Sequence, residues 1–244
     1  MDFRITKPTH IFALLVLLFA LLLLIVSPIL SFFGSLPSTQ DIELTEPIVL
    51  IGAVIAILIL LGTPFLWYLL VNEFSIKEML INLKIRKQGL DMAILWAVVT
   101  VIVMYVIVVI LGLVFSQLGF IEEELTNIED LAGNLSLGSM IFIIIFQSAS
   151  EEIFFRGFLL EKIHSLAGKE IAIVSTALLF GIAHLSYGKI YPAVMTVVLG
   201  LLLGYIVVRT KNLNSAIIAH VLFNVASYAF YLVYQSIDLE ALIL

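Results

Sequence analysis

Three charges sit inside an apolar run at Glu151-Glu152-Ile153-Phe154-Phe155-Arg156, with Met140-Ile-Phe-Ile-Ile-Ile-Phe146 before them and Phe158-Leu-Leu160 after. A charge at bilayer depth costs on the order of 3 kcal/mol on insertion scales. Two adjacent carboxylates repel and call for a compensating cation. A buried structural ion pair accounts for such a cluster, and so does a site at which the charges react.

Three further polar side chains lie in apolar surroundings: His184 at the end of Leu178-Leu-Phe-Gly-Ile-Ala-His184, and His220 and Asn224 in Ile217-Ile-Ala-His-Val-Leu-Phe-Asn224. At 1.5 Å of helix per residue, measured from the nearest basic residue of each segment, Glu151 lies about 16 Å deep, His184 about 22 Å, and His220 and Asn224 about 14 and 20 Å. These depths agree to within a turn or so, which puts four polar groups from three helices in one layer. His220 and Asn224, at i and i+4, share a helix face. Glu152 and Arg156 have the same spacing in the favourable order, so Arg156 is expected to pair with Glu152 as a supporting ion pair. Glu151 is turned about 100° away and is left to face His184.

A carboxylate can act as general base on water, and a histidine can orient that water or share its proton. An imidazole N–H and an Asn amide can stabilise an oxyanion in a low-dielectric site. Glu151 with His184, and His220 with Asn224, therefore supply both halves of amide hydrolysis. No nucleophile elbow and no His-Glu-x-x-His helix is present. Ser148 and Ser150 precede the glutamates at a spacing that speaks for packing. A zinc ion on Glu151, His184 and His220 is the open alternative, because His/His/Glu sets hold catalytic zinc.

The elements that must position these residues are membrane helices. Of 244 residues, 62% are hydrophobic and 12% charged, with a net charge of -6. Such a chain is an all-α, polytopic transmembrane bundle of about seven spans, a single integral membrane domain over residues 1–244 with its motif-bearing core at about 137–235. The expected spans are His10–Phe33, Pro47–Val71, Leu90–Gln117, Leu137–Leu160, Glu170–His184, Pro192–Val208 and Asn214–Tyr234. The chain has no cysteine, hence no disulfide framework and no thiolate. Its few dispersed basic residues exclude nucleic acid as a partner. Arg4, Lys7, Lys77, Lys84, Arg86, Lys87, Lys162, Lys169, Arg209 and Lys211 fall on one side of such a bundle. Asp41, Glu43, Glu46, Glu122, Glu123, Glu124, Glu129, Asp130, Asp238 and Glu240 fall on the other. The positive-inside rule then sets the N-terminus in the cytoplasm. The basic loops near Glu151 favour a cytoplasmic entrance for substrate, and the break Ser186-Tyr-Gly-Lys-Ile-Tyr-Pro192 offers a competing outward one.

With these residues in hand, the sequence resembles the CPBP family of intramembrane proteases, the CAAX prenyl protease and bacteriocin-processing (Abi) group. Its first motif, Glu-Glu-x-x-x-Arg-Gly, is matched by Glu151 to Gly157. Its second, Phe-x-x-x-His, is matched by Phe180 to His184. Its third, His-x-x-x-Asn, is matched by His220 to Asn224. The resemblance implies peptide-bond cleavage in or near the membrane, with Glu151 and His184 activating water and His220 and Asn224 forming the oxyanion site. It also implies no metal, as in the CAAX members that look like glutamate proteases. The implied substrate is a membrane-associated peptide or protein, and the setting is a bacterial cell membrane, where relatives process peptide pheromones or confer bacteriocin immunity. A transporter would place polar residues in both halves of the chain, and here they lie in the second half only. A non-catalytic peptide-binding immunity or scaffold protein would keep the same motifs.

Overall fold

In lipid, every backbone N–H and C=O must be satisfied within the chain, which leaves helices as the economical solution for long apolar runs. The computed structural model describes residues 3–37, 45–119 and 135–236, and among them there are helices and no strands. We number the helices α1 (Pro8–Phe32), α2 (Glu46–Leu70), α3 (Ile76–Asn82), α4 (Leu90–Gln117), α5 (Leu137–Ala167), α6 (Lys169–Tyr187, ending in a 3₁₀ turn from His184), α7 (Ile190–Thr210) and α8 (Asn214–Ser236). All but α3 are long and apolar enough to cross a membrane, giving seven spans. The acidic residues expected at one end, Glu46 excepted, lie outside the described residues.

Prolines at the first turns of α1, α2 and α7 cost no hydrogen bond, because the first N–H groups of a helix are unpaired in any case. Two expectations are corrected. Helix α5 runs past Leu160 to Ala167, because Glu161–Ala167 is amphipathic and helix-competent up to Gly168, whose φ of 88° turns the chain directly into α6. Helix α3 was not expected. It is nucleated by a capping box in which the Ser75 hydroxyl accepts from the Glu78 N–H and the Glu78 carboxylate accepts from the Ser75 N–H.

At the end of the bundle carrying the basic loops, buried Asn212 ties two connections together. Its Nδ2 donates to the carbonyls of Arg86 and Gln88, and its Oδ1 accepts from the Asn214 N–H. Within the bundle α6 packs along α7, α4 packs on α7 and α8, and α1 and α2 close over α5 and α6. Side chains such as Phe19, Leu58, Ile102 and Leu113 point outward on their helices, as lipid-facing positions do.

Candidate active site

Close helix packing comes first, because it fixes the layer in which the polar groups meet. A Cβ at Gly181 would lie 2.2 Å from Val197 Cγ2 and 2.7 Å from the Ala193 carbonyl oxygen, so this glycine sets the approach of α6 to α7. Gly200 does the same beside Arg156, where a Cβ would come within 3.0 Å of Nη2. On α5 the α-helical stretch Ser148–Glu152 is bracketed by two π-helical segments, Ile143–Gln147 and Ile153–Leu159.

Glu152 and Arg156 form an ion pair of 2.7 Å, with both side chains fully buried. The Arg156 guanidinium lies 4.2 Å above the centre of the Phe180 ring, a cation–π contact. The pair is not self-contained, which amends the sequence reading. The same Glu152 oxygen that takes Arg156 also takes His220 Nδ1 at 2.8 Å. One carboxylate oxygen has lone pairs for two donors, so the i, i+4 spacing within α5 did not use up Glu152. Glu152, itself held by Arg156, fixes the His220 ring through Nδ1 and leaves its Nε2 facing the site.

Glu151 accepts from Gln147 Nε2 at 3.2 Å, and its other oxygen lies 3.9 Å from His220 Nε2, longer than a hydrogen bond. His184 Nδ1 is 2.7 Å from the carbonyl oxygen of Phe180. A carbonyl only accepts, so this nitrogen carries the proton and Nε2 keeps its lone pair in the neutral ring. The Phe180 ring meets His184 at 4.6 Å between centroids and His220 at 6.0 Å, so the two imidazoles lie no farther apart than those distances combined. Asn224 Nδ2 donates one hydrogen to Ser148 Oγ at 2.9 Å and has a second to offer.

Glu151, His184, His220 and Asn224 all line one cavity of about 240 Å³, whose walls are otherwise mostly apolar, with Met104, Met195, Leu199 and Phe223 among them. Its lining reaches Met140, Tyr187 and Pro192, near the helix ends remote from the basic loops, and contains none of Lys162, Lys169, Arg209 and Lys211. Among the described residues the lining therefore extends away from the basic-loop end that the sequence favours as the entrance. On that side Phe154, Phe155, Phe158 and Leu160 are fully packed, and Lys162 lies over the rings of Trp67, Tyr68 and Phe158. The break at Ser186–Pro192 borders the cavity instead.

Sequence reasoning passed over two contributors and gave a third, Phe180, no role beyond its place in a motif. Gln147 is the lone amide in the apolar stretch before the glutamates, one helical turn from Glu151, and its polarity there was the available signal. Ser148 was read as packing, yet it holds Asn224. Phe180 contacts both histidines and Arg156, and the motif Phe180 to His184 was its signal. Among the described residues no three His, Asp or Glu side chains are placed to hold a metal ion, so Glu151, His184 and His220 do not form a ready zinc ligand set.

Residues 133–226 match a family model described as type II CAAX prenyl endopeptidase Rce1-like. The matched stretch contains Glu151, Glu152, Arg156, His184, His220 and Asn224. No curated protein and no solved structure matches the chain.

Proposed function

We propose that the chain belongs to the CAAX prenyl endopeptidase family, on the match over residues 133–226, and that it is an intramembrane endopeptidase in which Glu151 and His184 activate water. The observation that carries this reading is the convergence of Glu151, His184, His220 and Asn224 on one cavity, with His220 anchored by Glu152.

Water bound between Glu151 and His184 donates one hydrogen to the carboxylate and the other to His184 Nε2, which leaves an oxygen lone pair free. That oxygen attacks the carbonyl carbon of a peptide bond lying in the cavity, and its proton passes to Glu151. The carbonyl oxygen becomes an oxyanion, which accepts from the second Asn224 Nδ2 hydrogen and, when the imidazole carries both ring protons, from His220 Nε2. One such donor contributes on the order of 10²- to 10³-fold in rate. The intermediate collapses as the C–N bond breaks and the amine nitrogen takes the proton from Glu151. The second water proton leaves the new carboxyl through His184 Nε2 and reaches the departing amine, so the products are a carboxylate and an ammonium, and Glu151 and His184 return to their starting forms. Glu152 and Arg156 position His220 and touch no reacting atom.

The substrate class is a membrane-associated peptide or protein, and the bundle lies in the bilayer with its basic loops cytoplasmic. No metal is needed, because both protons of the attacking water have acceptors among the side chains. The purified protein in lipid vesicles, given membrane-anchored peptides in water enriched in heavy oxygen, should cleave and place one heavy oxygen in the new carboxylate. Glu151→Ala should abolish both signals, and a chelator should leave the rate unchanged. Cleavage surviving Glu151→Ala would remove the proposal. Loss on chelation with recovery on adding zinc would replace it with the zinc-dependent hydrolysis. Tight peptide binding without cleavage by the unmodified protein would point to the scaffold reading.

A further inference from the structure

Behind the cavity that holds the four polar groups lies a second one of about 120 Å³. Gln147, Glu151, Phe180, His184 and Tyr187 line both, so these side chains form the partition between them. Ser148, His220 and Asn224 line the larger cavity only. The far wall of the smaller one comes from helices that carry no motif: Leu24 of α1, and Ala56 and Leu60 of α2.

This division matters for hydrolysis. The oxyanion donors fix the scissile carbonyl in the larger cavity, and a bound peptide then fills the route by which that cavity communicates with solvent. Each turnover consumes one water at Glu151 and His184, which must be replaced past the occupied side or from the other side of the partition. At ~30 Å³ per molecule the smaller cavity has room for ~4 waters. Gln147, Glu151, His184, Ser186 and Tyr187 offer the polar partners that such waters require.

We propose that the smaller cavity is the water route of the enzyme, opposite the peptide, and that α1 and α2 serve the reaction by forming its wall. The proposal rests on the hydrolytic reading above. It assigns attack to the face of the carbonyl turned towards α1 and α2.

The chain has no native cysteine, so a single introduced thiol reports on its own position alone. In vesicles, Ala56→Cys should react with a small charged methanethiosulfonate reagent about tenfold faster than Leu58→Cys. Leu58 is on the same helix, 66% exposed and facing outward to lipid, where a thiol does not ionise. Equal or slower labelling of Ala56→Cys would overturn the proposal, and this comparison requires no catalysis. Attaching the reagent to the folded Ala56→Cys protein should then lower kcat about tenfold with KM unchanged, and reducing the mixed disulfide should restore it. Met195→Phe, which narrows only the larger cavity, should raise KM instead. An unchanged kcat after labelling, or a rise in KM alone, would show that water arrives by the peptide's side. Absence of cleavage by unmodified protein would defeat the protease reading while leaving the labelling result to stand.

Discussion

Replacing Gly181 by alanine separates activity from stability. The added methyl would sit 2.2 Å from Val197 Cγ2 and 2.7 Å from the Ala193 carbonyl oxygen, on the helix packed alongside. Carbon atoms in contact prefer about 3.5–4.0 Å, so α6 and α7 must part by on the order of 1 Å. Overpacking of this kind costs about 1–3 kcal/mol, while an alanine in a helix recovers about 1 kcal/mol over glycine. The net loss is about 0–2 kcal/mol, or less than about 8 °C in melting temperature for a chain of this size. His184 begins the turn that ends α6, within one turn of Gly181, and a displacement of about 1 Å at a catalytic group can cost 10²-fold. The expected result is a loss of about 100-fold in kcat/KM on a membrane-anchored peptide, with only a small fall in Tm in the same detergent. Adding Val197→Ala removes the 2.2 Å clash and leaves the carbonyl contact, so it should recover part of the activity. Full activity in Gly181→Ala, or a loss explained by the fraction unfolded, would refute the account.

Arg156→Met leaves the fully buried Glu152 carboxylate without its paired guanidinium, and should destabilise by about 3–5 kcal/mol. The double variant with Glu152→Gln should melt higher than Arg156→Met alone, which a calorimetric or fluorescence melt will show. Asn224→Ala removes a donor towards the oxyanion and should lower kcat by about 10²- to 10³-fold, with peptide binding retained in a direct titration. Outside the spans, the Lys7 ammonium donates to Glu73 and holds its carboxyl below the ordinary carboxylate range. A depressed folded value means that this contribution is present above the unfolded value and is lost as pH falls through the folded one. Glu73→Gln should therefore lower Tm slightly near pH 7, and the difference should vanish at a pH low enough to protonate the Glu73 carboxyl in both the folded and the unfolded state.

The spans were legible because apolar length is a strong signal and Pro, Gly, Asn and basic residues mark the ends of these helices, as at Pro8, Gly89 and Gly168. Helix α3 is too short for periodicity, although Ser75-Ile-Lys-Glu78 carried its capping signature. The clustering of Glu151, His184, His220 and Asn224 followed from depth arithmetic, since helices in a bilayer share one axis. Contacts between helices were hidden. Nothing in one dimension said that His220 would share the Glu152 oxygen with Arg156, because the i, i+4 pair already explained both charges. Nor could the basic loops show that Phe154, Phe155 and Phe158 pack the end of the bundle they flank.

The two π-helical segments around Ser148–Glu152 bear on how such chains diverge. A π turn closes its hydrogen bond one residue later than an α turn, so each segment amounts to an insertion retained within the helix. The glutamates ride on a short cassette whose angular setting is fixed by those extra residues. Deleting one residue from Ile143–Gln147 would return that stretch to α-register and swing everything before it by about 100° relative to the glutamates. Met140 would be carried off the cavity, with Glu151 to Gly157, Phe180 to His184 and His220 to Asn224 all unaltered. A lineage could thus keep every letter of its motifs and lose the site through a single-residue gap outside them, and another could re-aim the site by moving that gap.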